Sequence, residues 1–328
     1  MKVYFYEVKD YEEVFIRAYA QQYGFEVCGI DTECLSLENI DRCEGCDAVS
    51  TLGFSRCDGE VMRVLGGYDV KYFATRTVGY NHVDVESAAK CGITVIRADY
   101  DSTNVSDYTV MLILMLLRKT KVTVVRGLVN NFSLDEIMGR DLRDMTVGII
   151  GTGKIGKSVI RSLSGFGCRL LCHDKYPDSE VEKYAKYCDL GDIYSNCDVI
   201  SLHMPLTDEN YHMIDADAIS AMKKGVLLVN TARGGLIDTE ALKQGIETEQ
   251  IGGAALDTIE GEDGICHVDI KTRISNKQNL FYLKQFPNVI YTPHIGFFTE
   301  QAVSQMIESV FLGISLSSQN KENKFIVK

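Results

Sequence analysis

Three kinds of polar residue in the second half of the chain have the chemistry of a reactive site: an arginine, a group of carboxylates and a histidine. Arg233, the acidic stretch 257–262 and His294 each come directly after a run that reads as a β-strand. If those strands are parallel, their carboxyl ends meet at one edge of a sheet, where open α/β folds bind ligands. A guanidinium can hold a carboxylate and polarise a neighbouring carbonyl, and a histidine can donate a proton to the carbonyl oxygen. Hydride reduction of a 2-oxo acid requires this set.

The carboxylate has a supporting role in such a set, because a carboxylate hydrogen-bonded to the histidine stabilises the protonated imidazole. The residues alone leave open which carboxylate it is, since Glu260, Glu262 and Asp263 share one acidic loop. Two other interpretations are a structural ion pair for Arg233 and a plain turn residue for His294.

A second motif supplies a site for a dinucleotide. An apolar run ends in Gly151-x-Gly153-x-x-Gly156, a helix-like segment follows, and Asp174 comes 18 positions after the last glycine. Glycines there allow a tight turn, close approach of the pyrophosphate and helix–strand packing, while the helix N-terminus offers free N–H groups. A carboxylate at Asp174 binds the adenine ribose hydroxyls and repels a 2′-phosphate, so NAD is favoured over NADP. The alternative is a tight strand–helix turn in some other α/β protein.

These residues need a sheet to position them, and the chain alternates strand-like and helix-like segments, which predicts a parallel α/β architecture. We predict strands at 2–8, 25–30, 48–51, 70–74, 92–97, 146–150, 168–172, 198–203, 226–231, 251–256 and 288–292. We predict helices at 10–23, 154–166, 215–222, 239–247 and 299–318, with Thr299 as the N-cap of the last. A long helix beginning near residue 103 or 104 carries the apolar run Val110–Leu117.

Composition narrows the class of protein. The chain has 328 residues, 45% of them hydrophobic, which is enough for two domains with separate cores. A net charge of −12 argues against nucleic acid or an anionic membrane surface as a partner. The longest apolar run is too short to span a bilayer, and the N-terminus does not resemble a signal peptide.

Cysteine usage points to a reducing compartment. Eleven cysteines, an odd number without a secretory signal, predict reduced thiols in the cytoplasm. Cys43-x-x-Cys46 is a single pair, so we interpret it as part of a turn rather than a zinc or redox site. We expect no metal, because no His, Cys and carboxylate set has ligand spacing. Histidines 82, 173, 212 and 267 are predicted to be structural or to face solvent.

At these motifs the chain resembles the D-isomer-specific 2-hydroxyacid dehydrogenase family, from Thr75-Arg-Thr-Val-Gly79 to Thr292-Pro-His294. It is most similar to the D-lactate dehydrogenase branch, including those of vancomycin-resistance operons, through Tyr80-Asn-His-Val-Asp84, Val105-Ser-Asp-Tyr-Thr109 and Gly252-Gly-Ala-Ala-Leu-Asp257. The resemblance implies an α/β fold with two Rossmann-like, doubly wound parallel-sheet domains and a cleft between them. It implies a discontinuous substrate domain, 1–101 plus 298–328, and a NAD-binding domain at 102–297. Cleft closure would exclude water during hydride transfer.

The resemblance also implies roles for individual residues. Arg233 would bind the substrate carboxylate, His294 would be the acid and base, and Glu262 would be its partner. Residues implied to bind or shape the substrate are Val78, Gly79, Tyr100 and Phe297. Besides the three glycines, residues implied to line the NAD site are Lys154, Ile155, Asp174, Met204, Pro205, Asn210, Thr231, Ala232 and Asp257. His203, at the end of a predicted strand, is expected either to line that site or to be merely buried.

The implied activity is reversible hydride transfer between NADH and pyruvate, giving D-lactate, in a homodimer formed near residues 104–118. Two departures from the family pattern bear on the pocket. No proline occurs in Tyr100–Asn104, and Ile295-Gly-Phe-Phe298 follows the histidine where a pair of small residues is common. The aromatic pair could narrow the pocket for pyruvate or pack against a larger side chain. The alternatives are therefore a dehydrogenase for branched or aromatic 2-oxo acids and, more remotely, a NAD(H)-sensing, corepressor-like binding protein.

Overall fold

The computed structural model describes residues 1–262, 264–271 and 277–327. Its strands are β1 Lys2–Phe5, β2 Glu26–Ile30, β3 Ala48–Thr51, β4 Tyr72–Thr75, β5 Thr94–Arg97, β6 Thr146–Ile150, β7 Arg169–His173, β8 Lys186–Tyr187, β9 Val199–Leu202, β10 Val226–Asn230, β11 Ile251–Leu256 and β12 Val289–Tyr291. Its helices are α1 Asp10–Tyr23, α2 Gly59–Gly67, α3 Val85–Lys90, α4 Thr103–Leu117, α5 Thr120–Leu128, α6 Lys154–Ser164, α7 Ser179–Glu182, α8 Leu190–Asn196, α9 Ala216–Ala221, α10 Thr239–Glu247, α11 Gln278–Leu283 and α12 Glu300–Ser318.

The chain divides into two compact units, Met1–Asp101 with Phe298–Lys328, and Ser102–Phe297. The sheet of the first unit has the order β2-β1-β3-β4-β5, with every neighbouring pair parallel. Its strands are apolar on both faces because helices cover both faces of a parallel sheet. The prediction of a parallel α/β fold is confirmed for this unit.

The C-terminal helix α12 completes the core of the first unit. Phe311 is fully buried, and its ring contacts the rings of Phe5 and Phe25 with centroids 5.6 and 5.3 Å apart. The hydroxyl of Tyr23 on α1 donates to Glu308 of α12 at 2.9 Å. The helix begins at its predicted cap, where the Thr299 side chain accepts a hydrogen bond from the Ala302 N–H. A discontinuous segment therefore belongs to the first unit because its apolar face has its partners there.

The second unit contains a seven-stranded parallel sheet with the order β12-β11-β10-β9-β6-β7-β8. The chain proceeds outward from β6 through β7 and β8, then returns to pair β9 with the other edge of β6. Such a reversal of strand order creates a crevice at the carboxyl ends of the strands, where doubly wound folds bind nucleotides. The predicted apolar run of α4 packs in the core with Leu112 and Ile113 fully buried.

Several helices were not predicted from the sequence, notably α2, α3, α5, α8 and α11. Helix α5 has no buried residue, and its side chains Val124, Val125 and Leu128 are exposed. Within the described residues no helix has the length and apolar character needed to cross a membrane. All eleven cysteines are free thiols, and Cys43 and Cys46 are buried, the former ending a short 3-10 turn.

Candidate active site

The glycine motif forms the turn between β6 and α6. A Cβ atom on Gly156 would lie 1.9 Å from the Gly151 carbonyl oxygen, so only glycine allows the helix to pack this closely on the strand end. A Cβ on Gly153 would meet no heavy atom of the described residues within 4 Å and would project into open space. Gly153 is the N-cap of α6, and no described side chain caps the helix. The first turn of α6, with Lys154 and Ile155, begins beside that space, and a helix N-terminus attracts anionic groups.

Asp174 follows β7 and faces the same turn. Its carboxylate accepts hydrogen bonds from the N–H groups of Thr152, at 2.6 Å, and Tyr176, at 2.8 Å. These bonds fix an acidic group beside the glycine turn and leave further lone pairs for hydroxyl donors. An uncapped helix N-terminus, open space at Gly153 and a fixed carboxylate are what a dinucleotide with a free ribose 2′-hydroxyl requires. The residues present therefore fit NAD.

His203 lies directly after β9, behind the glycine turn. Its backbone carbonyl would be 2.7 Å from a Cβ on Gly151, so the two segments touch. The ring is buried, its Nε2 lies 2.8 Å from Ser201 Oγ, and its Nδ1 has no partner among the described residues. Burial lowers the pKa of His203 to about 3, so the imidazole is neutral. Met204 and Pro205 continue from it, and Asn210 closes their loop by donating to the Pro205 carbonyl at 2.7 Å.

Arg233 lies in the turn after β10, and its side chain is exposed. The buried Asn230 holds this turn, donating to the Arg233 carbonyl at 2.9 Å and accepting from the Ala232 N–H at 3.0 Å. Thr231 Oγ1 is occupied by Thr109 Oγ1 of α4, 2.9 Å away. The turn is therefore rigid at its backbone, while the guanidinium is available to an anion.

Asp257, after β11, is almost fully buried and binds the loop that carries His294. Its carboxylate accepts from Thr292 Oγ1 at 2.6 Å and from the N–H groups of Ile295 and Gly296 at 3.0 and 2.8 Å. Its carbonyl accepts the His294 N–H at 2.8 Å. His294 has a φ of 56°, a left-handed conformation that is uncommon for a non-glycine residue, and these bonds hold it there.

The acidic loop contains two glutamates near histidines, and the structure separates them. Glu262 Oε1 lies 2.8 Å from His294 Nδ1, while its Oε2 accepts the Ile259 N–H at 3.0 Å. Glu260 instead lies 2.8 Å from His212 Nε2. Glu262 is therefore the glutamate that contacts His294, and His212 has a structural partner.

The order of the parallel strands gathers these residues at one edge of the second unit. The glycine turn, His203, Arg233, the acidic loop and His294 follow β6, β9, β10, β11 and β12, which are consecutive neighbours. Phe297 ends this unit, and its carbonyl accepts from Asn104 at 2.7 Å. In the first unit, Val78 and Gly79 follow β4, and Tyr100 follows β5. The hydroxyl of Thr77 donates to the Gly79 carbonyl at 2.6 Å and shapes that loop.

His267 was not predicted to belong to the site, yet it contacts His294. Its Nε2 lies 3.0 Å from the His294 carbonyl oxygen, and the two ring centroids are 6.4 Å apart. Its ring also meets Phe297 edge-on, with centroids 6.0 Å apart. Nothing in its sequence neighbourhood has a period or motif, so sequence reasoning had no signal for it.

The sequence is similar to those of known oxidoreductases. Residues 110–296 match the family profile of the D-isomer specific 2-hydroxyacid dehydrogenase NAD binding domain. The chain is 40% identical over 317 residues to an aromatic 2-oxoacid reductase of Clostridium sporogenes, covering 96% of this chain and 95% of that one. It is 38% identical over 277 residues to a D-specific alpha-keto acid dehydrogenase of Enterococcus faecalis, covering 84% of each.

A solved structure extends the likeness to the fold and the cofactor. The D-lactate dehydrogenase of Lactobacillus jensenii, determined with NAD+, superposes with a TM-score of 0.86 at 30% identity and covers all of both chains. The glycine turn, the parallel sheet and these similarities lead to one conclusion: the chain is an oxidoreductase with NAD as its cofactor and belongs to the D-isomer-specific 2-hydroxyacid dehydrogenase family.

Proposed function

We propose that this protein reduces a 2-oxo acid to the D-2-hydroxy acid, with Arg233, Glu262 and His294 as the reactive set. The observation that carries the proposal is the 2.8 Å contact of His294 Nδ1 with Glu262. These two residues follow β12 and β11, and β11 is the neighbour of β10, which Arg233 follows. NADH, when bound, supplies the hydride. The protein's own residues bind the substrate and supply the proton.

His294 is proposed as the acid in reduction and the base in oxidation. An ionised Glu262 only accepts hydrogen bonds, so Nδ1 of His294 carries a hydrogen toward it. The proton given to the substrate oxygen therefore comes from Nε2, the other ring nitrogen. Glu262 is proposed to stabilise the imidazolium and to keep the ring in this orientation.

Arg233 is proposed to bind the substrate carboxylate and to polarise the carbonyl that accepts the hydride. Its exposed guanidinium can make two parallel hydrogen bonds to a carboxylate. The backbone N–H groups of Val78 and Gly79 are proposed as further donors to that carboxylate, and Tyr100 and Phe297 as neighbours of the substrate side chain. The first unit is thereby proposed as the substrate domain.

The NAD contacts are proposed for residues at the glycine turn and at the following strand ends. The helix N-terminus at Lys154 and Ile155 suits the pyrophosphate, and the fixed carboxylate of Asp174 suits the ribose hydroxyls and disfavours NADP. The remaining proposed contacts come from Met204, Pro205, Asn210, Thr231, Ala232 and Asp257. His203 is proposed to support the glycine turn from behind.

Pyruvate is the first candidate substrate, since a D-lactate dehydrogenase is similar to this chain over its whole length. Aromatic or branched 2-oxo acids are the second candidate, favoured by the 40% identity to an aromatic 2-oxoacid reductase. Exposed aromatic rings in the first unit also favour the second candidate. Tyr11 and Phe298 pack edge-on with centroids 4.9 Å apart, and Phe54 is 46% exposed.

The proposal is tested by NADH oxidation at neutral pH with pyruvate, 2-oxobutyrate, 2-oxoisocaproate, phenylpyruvate and oxaloacetate. His294→Ala is the matched variant, and NADH fluorescence measures cofactor binding in both proteins, since the chain has no tryptophan. The highest kcat/KM with pyruvate, lost by several orders of magnitude in the variant, supports a D-lactate dehydrogenase. A preference for phenylpyruvate or 2-oxoisocaproate supports the second candidate. NADH binding without turnover on any acid contradicts the proposal and favours a NAD(H) sensor.

We propose in addition that the second unit forms a homodimer through α4 and α5. Large apolar side chains are exposed on this face, including Met111 at 40% and Leu128 at 80%. A groove of about 490 Å³ lies between α4 and α6 and is lined by Met111, Leu114 and Phe166. Exposed apolar patches of this kind mark association surfaces.

Analytical ultracentrifugation tests the dimer. We expect twice the chain mass of 36.6 kDa for the unmodified protein and for Val14→Glu, which changes an exposed residue of the first unit. Met111→Glu with Leu128→Glu is expected to give the mass of one chain. A dimer that survives the double change would show that another surface is used.

A further inference from the structure

Two glutamates of the active-site loop, separated only by Gly261, each bind a different histidine. Glu262 contacts His294, the proposed acid, and Glu260 contacts His212, at 2.8 Å in both cases. The reaction as proposed uses only the first pair. The second pair lies at the other end of the same loop and has no assigned part in the reaction.

Glu260 has a well-built set of partners. Besides His212, its Oε1 accepts from the Tyr211 hydroxyl at 2.5 Å, and its Oε2 lies 3.5 Å from Thr239 Oγ1. The rings of Tyr211 and His212 stack with centroids 3.9 Å apart, so both donors are held in one orientation. The hydrogen bond to Glu260 raises the pKa of Tyr211, which keeps the phenol protonated as a donor.

The donor side of this cluster is itself fixed to the segment that follows β10. The backbone N–H of His212 donates to the Gly235 carbonyl at 2.8 Å. The backbone of His212 has a φ of 53°, in the left-handed region. Its Nδ1 lies 4.0 Å from the carboxylate of Asp238. His212 therefore joins Glu260 to the segment after β10, which also carries Arg233.

The loop has little freedom to adopt a second path while Glu260 is held. A Cβ on Gly234 would lie 2.2 Å from the Ile259 carbonyl carbon, so the backbones of the two segments are in direct contact. The backbone N–H of the same Ile259 donates to Glu262 Oε2 at 3.0 Å and orients the carboxylate that faces His294. A shift of Glu260 would move Ile259 and would thereby turn Glu262.

We infer that Glu260 is a positioning residue, which, through Tyr211 and His212, holds the loop in the conformation that points Glu262 at His294. The inference rests on the proposed function, because it assigns Glu260 to the same reaction. Glu260 acts on the orientation of a catalytic group and touches neither substrate nor cofactor. We expect the turn of Arg233 to keep its conformation when Glu260 changes, because the buried Asn230 holds its backbone independently of the loop.

Steady-state kinetics of three variants test this role. Glu260→Ala removes the acceptor, Glu260→Gln keeps an oxygen acceptor, and Glu247→Ala removes an equivalent acceptor elsewhere, where Tyr282 donates to Glu247 at 2.7 Å. We expect kcat to fall about tenfold in Glu260→Ala, since small misplacements of a catalytic group slow the reaction strongly. The KM values for NADH and the 2-oxo acid should change less than about twofold, because the groups that bind them are not displaced. Glu260→Gln should recover most of kcat, and Glu247→Ala should match the unmodified enzyme.

A kcat in Glu260→Ala equal to that of Glu247→Ala would overturn the inference. A raised KM for NADH at unchanged kcat would also overturn it, because the cluster would then serve only the loop after β9. Proton NMR gives a readout independent of turnover, namely the downfield Nδ1–H signal of His294, assigned by its loss in His294→Ala. We expect Glu260→Ala to broaden or remove this signal and Glu247→Ala to keep it. If the unmodified protein reduces no 2-oxo acid while the signal behaves as expected, the proposed function fails and the positioning role stands.

Discussion

The buried imidazole of His203 makes the stability of the second unit depend on pH, and the size of the effect follows from its environment. The folded protein holds this ring neutral, with a pKa lowered to about 3 by burial, whereas an exposed histidine in the unfolded chain titrates near 6.5. Unfolding at intermediate pH therefore takes up a proton. Because the folded pKa is the lower one, the stabilising contribution is complete above pH 6.5 and is lost as the pH falls toward 3.

The loss between pH 7 and pH 5 is about 2 kcal/mol, since each pH unit below the unfolded pKa costs about 1.4 kcal/mol. We expect His203→Gln, whose amide can still reach Ser201 Oγ, to lack this dependence. Its unfolding free energy at pH 7 can be lower than that of the unmodified protein, so the quantity to compare is the change with pH. Between pH 7 and pH 5 its free energy of unfolding should fall by about 2 kcal/mol less than that of the unmodified protein.

Urea unfolding followed by circular dichroism at pH 7, 6 and 5 measures both curves. The transition of the second unit is the one that NADH moves to higher urea, because a ligand stabilises the state that binds it. Taking the difference between the two proteins cancels the titration of all other groups, His82 included, whose pKa burial also lowers. Parallel curves from pH 7 to pH 5 would refute the reasoning and would mean that the His203 ring is not held neutral by its burial.

Three further changes have outcomes that the contacts predict. Gly234→Ala puts a Cβ within 2.2 Å of the Ile259 carbonyl carbon, so kcat should fall about 10- to 100-fold in steady-state assays, whereas equal rates would show that the loop adjusts freely. Glu12→Leu leaves the fully buried guanidinium of Arg76 without the carboxylate now 2.8 Å away, and urea unfolding should show a loss of about 3–5 kcal/mol. Adding Arg76→Met should restore much of that stability, and no recovery would contradict an ion-pair origin. His267→Phe removes a contact worth about 0.5–1.5 kcal/mol, so kcat should fall about 2- to 10-fold, with recovery in His267→Gln if the hydrogen bond is the cause.

The elements predicted from the sequence are those whose buried side chains form a regular apolar pattern along the chain. Strands of a parallel sheet are apolar on both faces, so β6, β9, β10 and β11 stand out as short continuous runs. Helix α10 was predicted with its observed bounds because its apolar stripe and its cap are both local. Helix α5 was not predicted, and it differs from α10 in that none of its side chains is buried.

The parallel strands also explain why the residues of the candidate site lie close together. Arg233 and His294 are 61 positions apart in the sequence, yet both follow strands of one parallel sheet and so reach the same edge. Only the strand assignment was needed to expect this. The contact of His267 with His294 has no such basis, because a loop between strands can take many paths and its direction depends on packing that a local pattern does not encode.

The sequence could place the two glutamates of the acidic loop at the site but could not assign their partners. Glu260 and Glu262 have identical chemistry and lie two positions apart, so composition and spacing could not decide which of them contacts His294. Their partners decide it, and these lie far away in sequence: His212 is 48 positions from Glu260, and His294 is 32 positions from Glu262. Since each carboxylate already has its own imidazole, turning Glu260 to His294 would take it away from Tyr211 and His212. The loop is thus specified by both histidines at once, which makes the assignment of the catalytic carboxylate a property of the tertiary structure.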